Sequence, residues 1–244
     1  MAISRTNSRF SVAMMRAGVI IAWIVLLAAP LVLFVGHLGA DRLNWVENGI
    51  STYAATAPHG NWISAGILLA GLSIVCLGVG ISLGTRLRIN LLSEIASMCC
   101  GAAAAGLFML CRCQETANNI EALKRMEFAA VRQQTFHDAG LLMFVCGAVL
   151  ALMISGVIAM VRSACWGGRL LAAVVFVSGP IACMVVISSS QGSAGFLGTA
   201  PGLKQRAAFF CLWVGALCLM TLLTKAAAQP VIRQSEVNGE PIVR

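Results

Sequence analysis

Ser51, His137 and Asp138 are a hydroxyl, an imidazole and a carboxylate, the side-chain types of nucleophilic and general-base chemistry. Glu47 and Arg206 add a second acid and a cation. All five fall in three polar blocks: "NWVENGISTYAATAPHGNW" at 44–62, "FHDAG" at 136–140 and "PGLKQR" at 201–206. Two chemistries suit them. Arg206, Lys204, His137 and Ser51 could surround an anionic headgroup or small anion, with Asp138 orienting Arg206 or His137. Alternatively, His137 acts as base for Ser51 or for a metal-bound water, as in intramembrane lipid hydrolases. Glu47, His59, His137 and Asp138 are ligand types, but no HExxH-like spacing joins them. No metal or other cofactor is expected, and enzymatic activity is not required.

The elements that must hold these blocks are greasy. Of 244 residues, 59% are hydrophobic and 11% charged, and the mean hydropathy is +0.88, against about one-quarter charged in a soluble domain. That composition predicts an all-α, polytopic membrane protein and excludes a disordered chain. The net charge of +8 sits between apolar segments without a nucleic-acid-binding pattern, so no nucleic-acid partner is expected. The ten cysteines form no CxxC pair, and only Cys111 and Cys113 approach a membrane surface. A disulfide through either has no assignable partner.

Runs able to cross about 30 Å of hydrocarbon need about 20 residues. Six occur, at 17–36, 62–84, 93–111, 137–161, 169–188 and 207–224, predicting a six-helix bundle over 17–224. Residues 1–16 form a basic N-terminus ahead of an apparent uncleaved signal anchor, and 225–244 a polar tail. With both termini in the cytoplasm, the inner segments carry a net +7 and the outer ones +1, which follows the positive-inside bias. This orientation puts all three polar blocks at the outer face of a bacterial inner membrane. The loop "CQETANNIEALKRMEFAAVRQQTF" has Leu123, Met126 and Ala130 at helical spacing and should extend a neighbouring helix or lie at the interface. "SSSQGSAGFLGTAPG" reads as a flexible loop.

Simpler structural roles compete at every residue. Asp138 suits a helix N-terminus, Arg206 can snorkel, Tyr53 and Trp62 suit an interfacial belt, and Ser51 or Thr52 can cap a turn. An Arg or Asp drawn below the headgroups costs roughly 2–3 kcal/mol and therefore pairs, so Arg206 is expected to meet Asp138 or Glu47. Ser93, Ser97, Gly101 and Ala105 predict a small-residue packing stripe, which could also serve a homo-oligomer or assembly partner. Pro30 and Pro180 each free a helix carbonyl that a neighbour must satisfy. A transporter subunit is disfavoured, because no charge lies mid-membrane.

"NGISTYAATAPHGNWISAGILLAGL", "HDAGLLMF" and "GLKQR" resemble the three signature blocks of the domain of unknown function 998 family of prokaryotic six-helix membrane proteins. That family is distantly similar to the eukaryotic Frag/DRAM/Sfk group. The resemblance covers nearly the whole chain, implies six helices, and carries Ser51, His137 and Arg206 as matching motif positions. It departs at "FMLCRCQE", where family members often have Phe-Pro with a nearby acid and this chain offers only Glu115. Residues and resemblance together lead to the expectation of a multi-pass membrane protein with membrane lipids as partners, bound at an outward pocket of Glu47, Ser51, His137, Asp138 and Arg206.

Overall fold

The computed structural model describes residues 3–41, 43–84, 90–112, 128–190 and 200–228. The described chain is helical: α1 (Ile3–His37), α2 (Ile50–Thr56), α3 (Gly60–Gly84), α4 (Asn90–Arg112), α5 (Phe128–Arg162), α6 (Trp166–Ser190) and α7 (Pro201–Ala228). Six of them are long and apolar enough to span a membrane, over Ala17–His37, Gly60–Ser82, Leu91–Cys111, Gln134–Arg162, Trp166–Ile187 and Gly202–Lys225. Long apolar runs take this form because a helix satisfies every backbone N–H and C=O internally where no water can. α5 starts nine residues ahead of the expected span, so the end of the preceding loop does extend a helix. Leu123 and Met126, Cys113, the centre of the Gly- and Ser-rich loop and the tail beyond 228 lie outside the described residues.

Sequential neighbours pack side by side: α1 on α3, α3 on α4, α4 on α5, α5 on α6 and α6 on α7. α7 then returns to α1 and also touches α3 and α5, which closes the ring. The short α2 lies across one end, against α3 and α7.

The packing stripe differs from the expected one. Each step of four residues overshoots a helical turn by about 40°, so the stripe drifts by about 120° from Ser93 to Ala105 and does not stay on one contact. Ser93 is buried and Ser97 Oγ donates to the Gly78 carbonyl of α3 at 3.0 Å, whereas Gly101 has open space around it. The close approach to α5 instead uses Cys99, Ala103 and Gly106, at steps of four and three, against Gly147, Phe144 and Gly140.

Pro30 behaves as the sequence predicts. Lacking an N–H, it cannot donate to the Leu26 carbonyl one turn back, and Trp213 Nε1 of α7 donates to that oxygen at 3.1 Å. Trp213→Phe should strand the carbonyl at a cost of about 1–3 kcal/mol, read as a lowered melting temperature in detergent. In a Pro30→Ala background the restored amide reclaims Leu26 O, so the same substitution should cost less. Equal costs in the two backgrounds would disprove the linkage.

Candidate functional site

The polar blocks at 44–62 and 201–206 meet at the end of the bundle that α2 covers. Leu203 N donates to Val46 O at 2.9 Å, and Gln205 Oε1 accepts from Ile50 N at 3.0 Å. The second bond caps α2: its N-cap is Gly49, without a side-chain cap of its own, so a residue 155 positions away does what Ser51 or Thr52 was expected to do. Gly49 allows this because a Cβ there would stand 2.8 Å from Gln205 Oε1.

Arg206 is the centre of the junction. Its Nη1 donates to Trp45 O at 2.7 Å, Asn48 O at 2.9 Å and Gly202 O at 3.0 Å, and its Nη2 lies 2.9 Å from His37 Nε2. The tautomer follows from the other ring nitrogen. His37 Nδ1 is 2.7 Å from the Leu33 carbonyl, which can only accept, so Nδ1 carries the proton and Nε2 offers a lone pair to Arg206. The guanidinium also lies 5.1 Å from the centroid of the Tyr53 ring, which packs on His37 at 4.4 Å. Two Arg206 donors, Nε–H and one Nη2–H, are left without a described acceptor.

Several expectations change here. Arg206 pairs with carbonyls and His37 instead of with Asp138 or Glu47. Glu47 is exposed and makes no ion pair with a described residue. Tyr53 is no belt residue: it is 3% exposed and its hydroxyl donates to Leu43 O at 3.0 Å. Trp62 is exposed, as a belt residue would be, and His59 is an exposed corner whose carbonyl accepts from Trp62 N. Lys204 is 3% exposed, buried at the same end. Ser51 lies in the first turn of α2, and its side chain is outside the description. His37 was missed, although an Arg beside an apolar run requires acceptors and a His closing another such run is a natural one.

His137 and Asp138 diverge. Asp138 is 63% exposed, accepts from Gln134 Nε2 at 2.8 Å, and stands 3.4 Å from His137 Nδ1. His137 points inward, 13% exposed, and lines a cavity of about 80 Å³ with Ile50, Gln205, Leu141 and Val186. Among the described residues no three His, Cys, Asp or Glu side chains converge as metal ligands would.

Beneath this chamber lies a larger one of about 300 Å³, lined from α1, α3, α4, α5 and α7 by residues such as Leu33, Leu77, Leu107, Ala148, Trp213 and Ala216. Its wall hydroxyl and indole are spent, the Ser73 hydroxyl donating to Ala70 O and the Trp213 indole to Leu26 O, which leaves the weakly polar Cys100 thiol. Phe144, Phe209 and Leu212 line both chambers, and the two phenyl rings stack at 5.1 Å between centroids. A partly polar chamber at one end of the spans thus adjoins an apolar one within them, divided by an aromatic pair. Comparison with known proteins finds no family model, no curated protein and no solved structure that matches this chain.

Proposed function

We propose that this multi-pass membrane protein binds a membrane lipid, with the headgroup at the end of the bundle formed by α2 and the start of α7. The observation that carries this reading is the tandem arrangement of the His137–Gln205 chamber and the apolar chamber across shared walls. An amphiphile has the same two-part character. His137 and Gln205 supply hydrogen-bonding groups to the headgroup, and the two uncommitted N–H groups of Arg206 add charge beside it. Arg206 is chiefly a positioning residue, holding the 45–48 segment against α7. Asp138 and Glu47, both exposed, belong to the rim.

The net +7 of the segments at the opposite end supports an orientation with both termini cytoplasmic and the headgroup chamber outward, in a bacterial inner membrane. Membership of the domain of unknown function 998 family, from the three sequence blocks, is part of the same proposal.

His137→Phe keeps an aromatic ring at the chamber wall and removes both nitrogens. Purified in mild detergent, the wild-type protein should carry phospholipid detectable by native mass spectrometry, and the variant should carry less at an unchanged melting temperature. Equal retention would count against the headgroup site.

A further inference from the structure

We infer that the 300 Å³ chamber is the seat of a single hydrocarbon chain of a membrane lipid, admitted sideways between α1 and α7. This rests on the lipid-binding reading and adds the identity and route of the buried part. Three observations carry it.

The walls come first. They are apolar apart from the Cys100 thiol, which behaves as a small hydrophobe, and two groups already hydrogen-bonded within the protein, so water would find too few partners there. A polar ligand would lose its own hydrogen bonds without replacement. The size comes second. The chamber has twice the volume of an engineered cavity of about 150 Å³ that takes up benzene. Left empty, it would forfeit dispersion contacts along its whole lining. On α7 its lining runs from Phe209 to Leu219, about 15 Å at 1.5 Å per residue, so it is long in the direction in which lipid chains run.

The third observation is the opening. α1 and α7 run antiparallel and are joined by polar pins: Arg206 to His37 at the α2 end, Trp213 to Leu26 O in the middle, and Trp23 Nε1 to Thr224 Oγ1 at 2.9 Å towards the far end. Between the first two pins the seam is walled by Pro30 and Leu33 of α1 and by Phe209 and Phe210 of α7. Phe210 lines the chamber yet is 61% exposed, so the chamber reaches the outer surface of the spans there. That surface faces hydrocarbon, and the neighbouring material is therefore lipid tails. A chain entering at this window extends along the chamber, while its headgroup stays at the level of the Arg206–His37 pin.

The test uses a phosphatidylcholine carrying a diazirine midway along one acyl chain, incorporated into nanodiscs with the full-length protein, irradiated and mapped by peptide mass spectrometry. Adducts are expected on interior residues such as Leu107, Ala148 and Leu152, besides the exterior adducts any membrane protein acquires at positions such as Leu170. Ala216→Phe, which fills the chamber, should lose the interior adducts and keep the exterior ones. Labelling confined to exterior residues in the wild-type protein would overturn the inference, and that result does not depend on whether the variant folds. The headgroup reading separates cleanly from the chain site. Interior adducts that persist in His137→Phe with undiminished phospholipid retention would uphold the chain site and sink the headgroup site. Exterior-only labelling with retention lost in His137→Phe would do the reverse.

Discussion

Arg206→Ala should destabilise the folded protein by at least about 3 kcal/mol, because hydrogen bonds from a charged donor contribute about 1.5–3 kcal/mol each and this guanidinium serves four acceptors. Trp45 O, Asn48 O and Gly202 O would lose it together with His37 Nε2. The Tyr53 ring would also lose the cation beside it. The carbonyls belong to the segment that delivers α2 to the mouth of the bundle, so the first consequence is loosening of that segment and exposure of the end of α7. Arg206→Lys should fall between wild type and Ala. An ammonium has three donors at one point and cannot span the carbonyls of residues 45 and 48 while meeting an imidazole on another helix. Thermal denaturation in lipid-free detergent measures this order without reference to any ligand. A melting temperature for Arg206→Ala equal to wild type would show that the clamp is dispensable and that the guanidinium is kept for something it binds.

The experiment also marks where sequence reasoning stops. The six spans were legible because hydrophobic length is a property of each segment alone, and each span in the structure lies within a few residues of its expected limits. The freed carbonyl at Pro30 was legible as a requirement, since ring chemistry dictates it; its partner, Trp213, was not, because that depends on which helix lies alongside. The same division runs through the site. Charge and polarity placed the three blocks at one end, and the structure does join the first to the third through Arg206 and Gln205. What sequence could not supply was the kind of partner. An Arg in an apolar flank invites a search for acids, yet backbone carbonyls of an irregular loop are equally good acceptors and carry no mark in the sequence. Tyr53 was misplaced for a related reason: a tyrosine near a membrane boundary has the composition of a belt residue, and only the turn of α2 decides that it faces inward. His137 could be read as inward or outward with equal ease, since nothing in "FHDAG" fixes the helix rotation.

The second large effect concerns two glycines that look alike on paper. They bracket the run "GAAAAG", Gly101 and Gly106, in the middle of α4. Around Gly101 a Cβ would meet nothing within 4 Å. At Gly106 it would press on the Phe144 amide nitrogen and the Gly140 carbonyl of α5, which are backbone atoms and cannot turn aside as a side chain does. The same contact extends about one turn to either side of Phe144 on α5. A Cβ at Gly140 would come within 2.9 Å of Met109 Cβ and 3.0 Å of Gly106 O, and one at Gly147 within 2.7 Å of both Ala103 N and Cys99 O. Where lipid surrounds a bundle, hydrophobic burial between helices adds little and backbone proximity is the main source of attraction. A methyl group at Gly106 therefore removes attraction along the whole crossing as well as adding a clash. Gly101→Ala should be neutral or stabilise by up to about 1 kcal/mol through the helix preference of alanine. Gly106→Ala should cost about 1–3 kcal/mol or more as overpacking, and Gly106→Val should abolish recovery of folded protein. Parallel melting curves of the two alanine variants check this, and a Gly106→Ala protein as stable as Gly101→Ala would mean that α4 and α5 do not cross at Gly106. The cost should also be felt in the chambers, because moving α5 away from α4 carries Phe144 off Phe209 and opens the partition between them. Gly106→Ala recovered in folded form is therefore expected to pass the acyl-chain label from the large chamber onto Leu141 and Val186 of the small one.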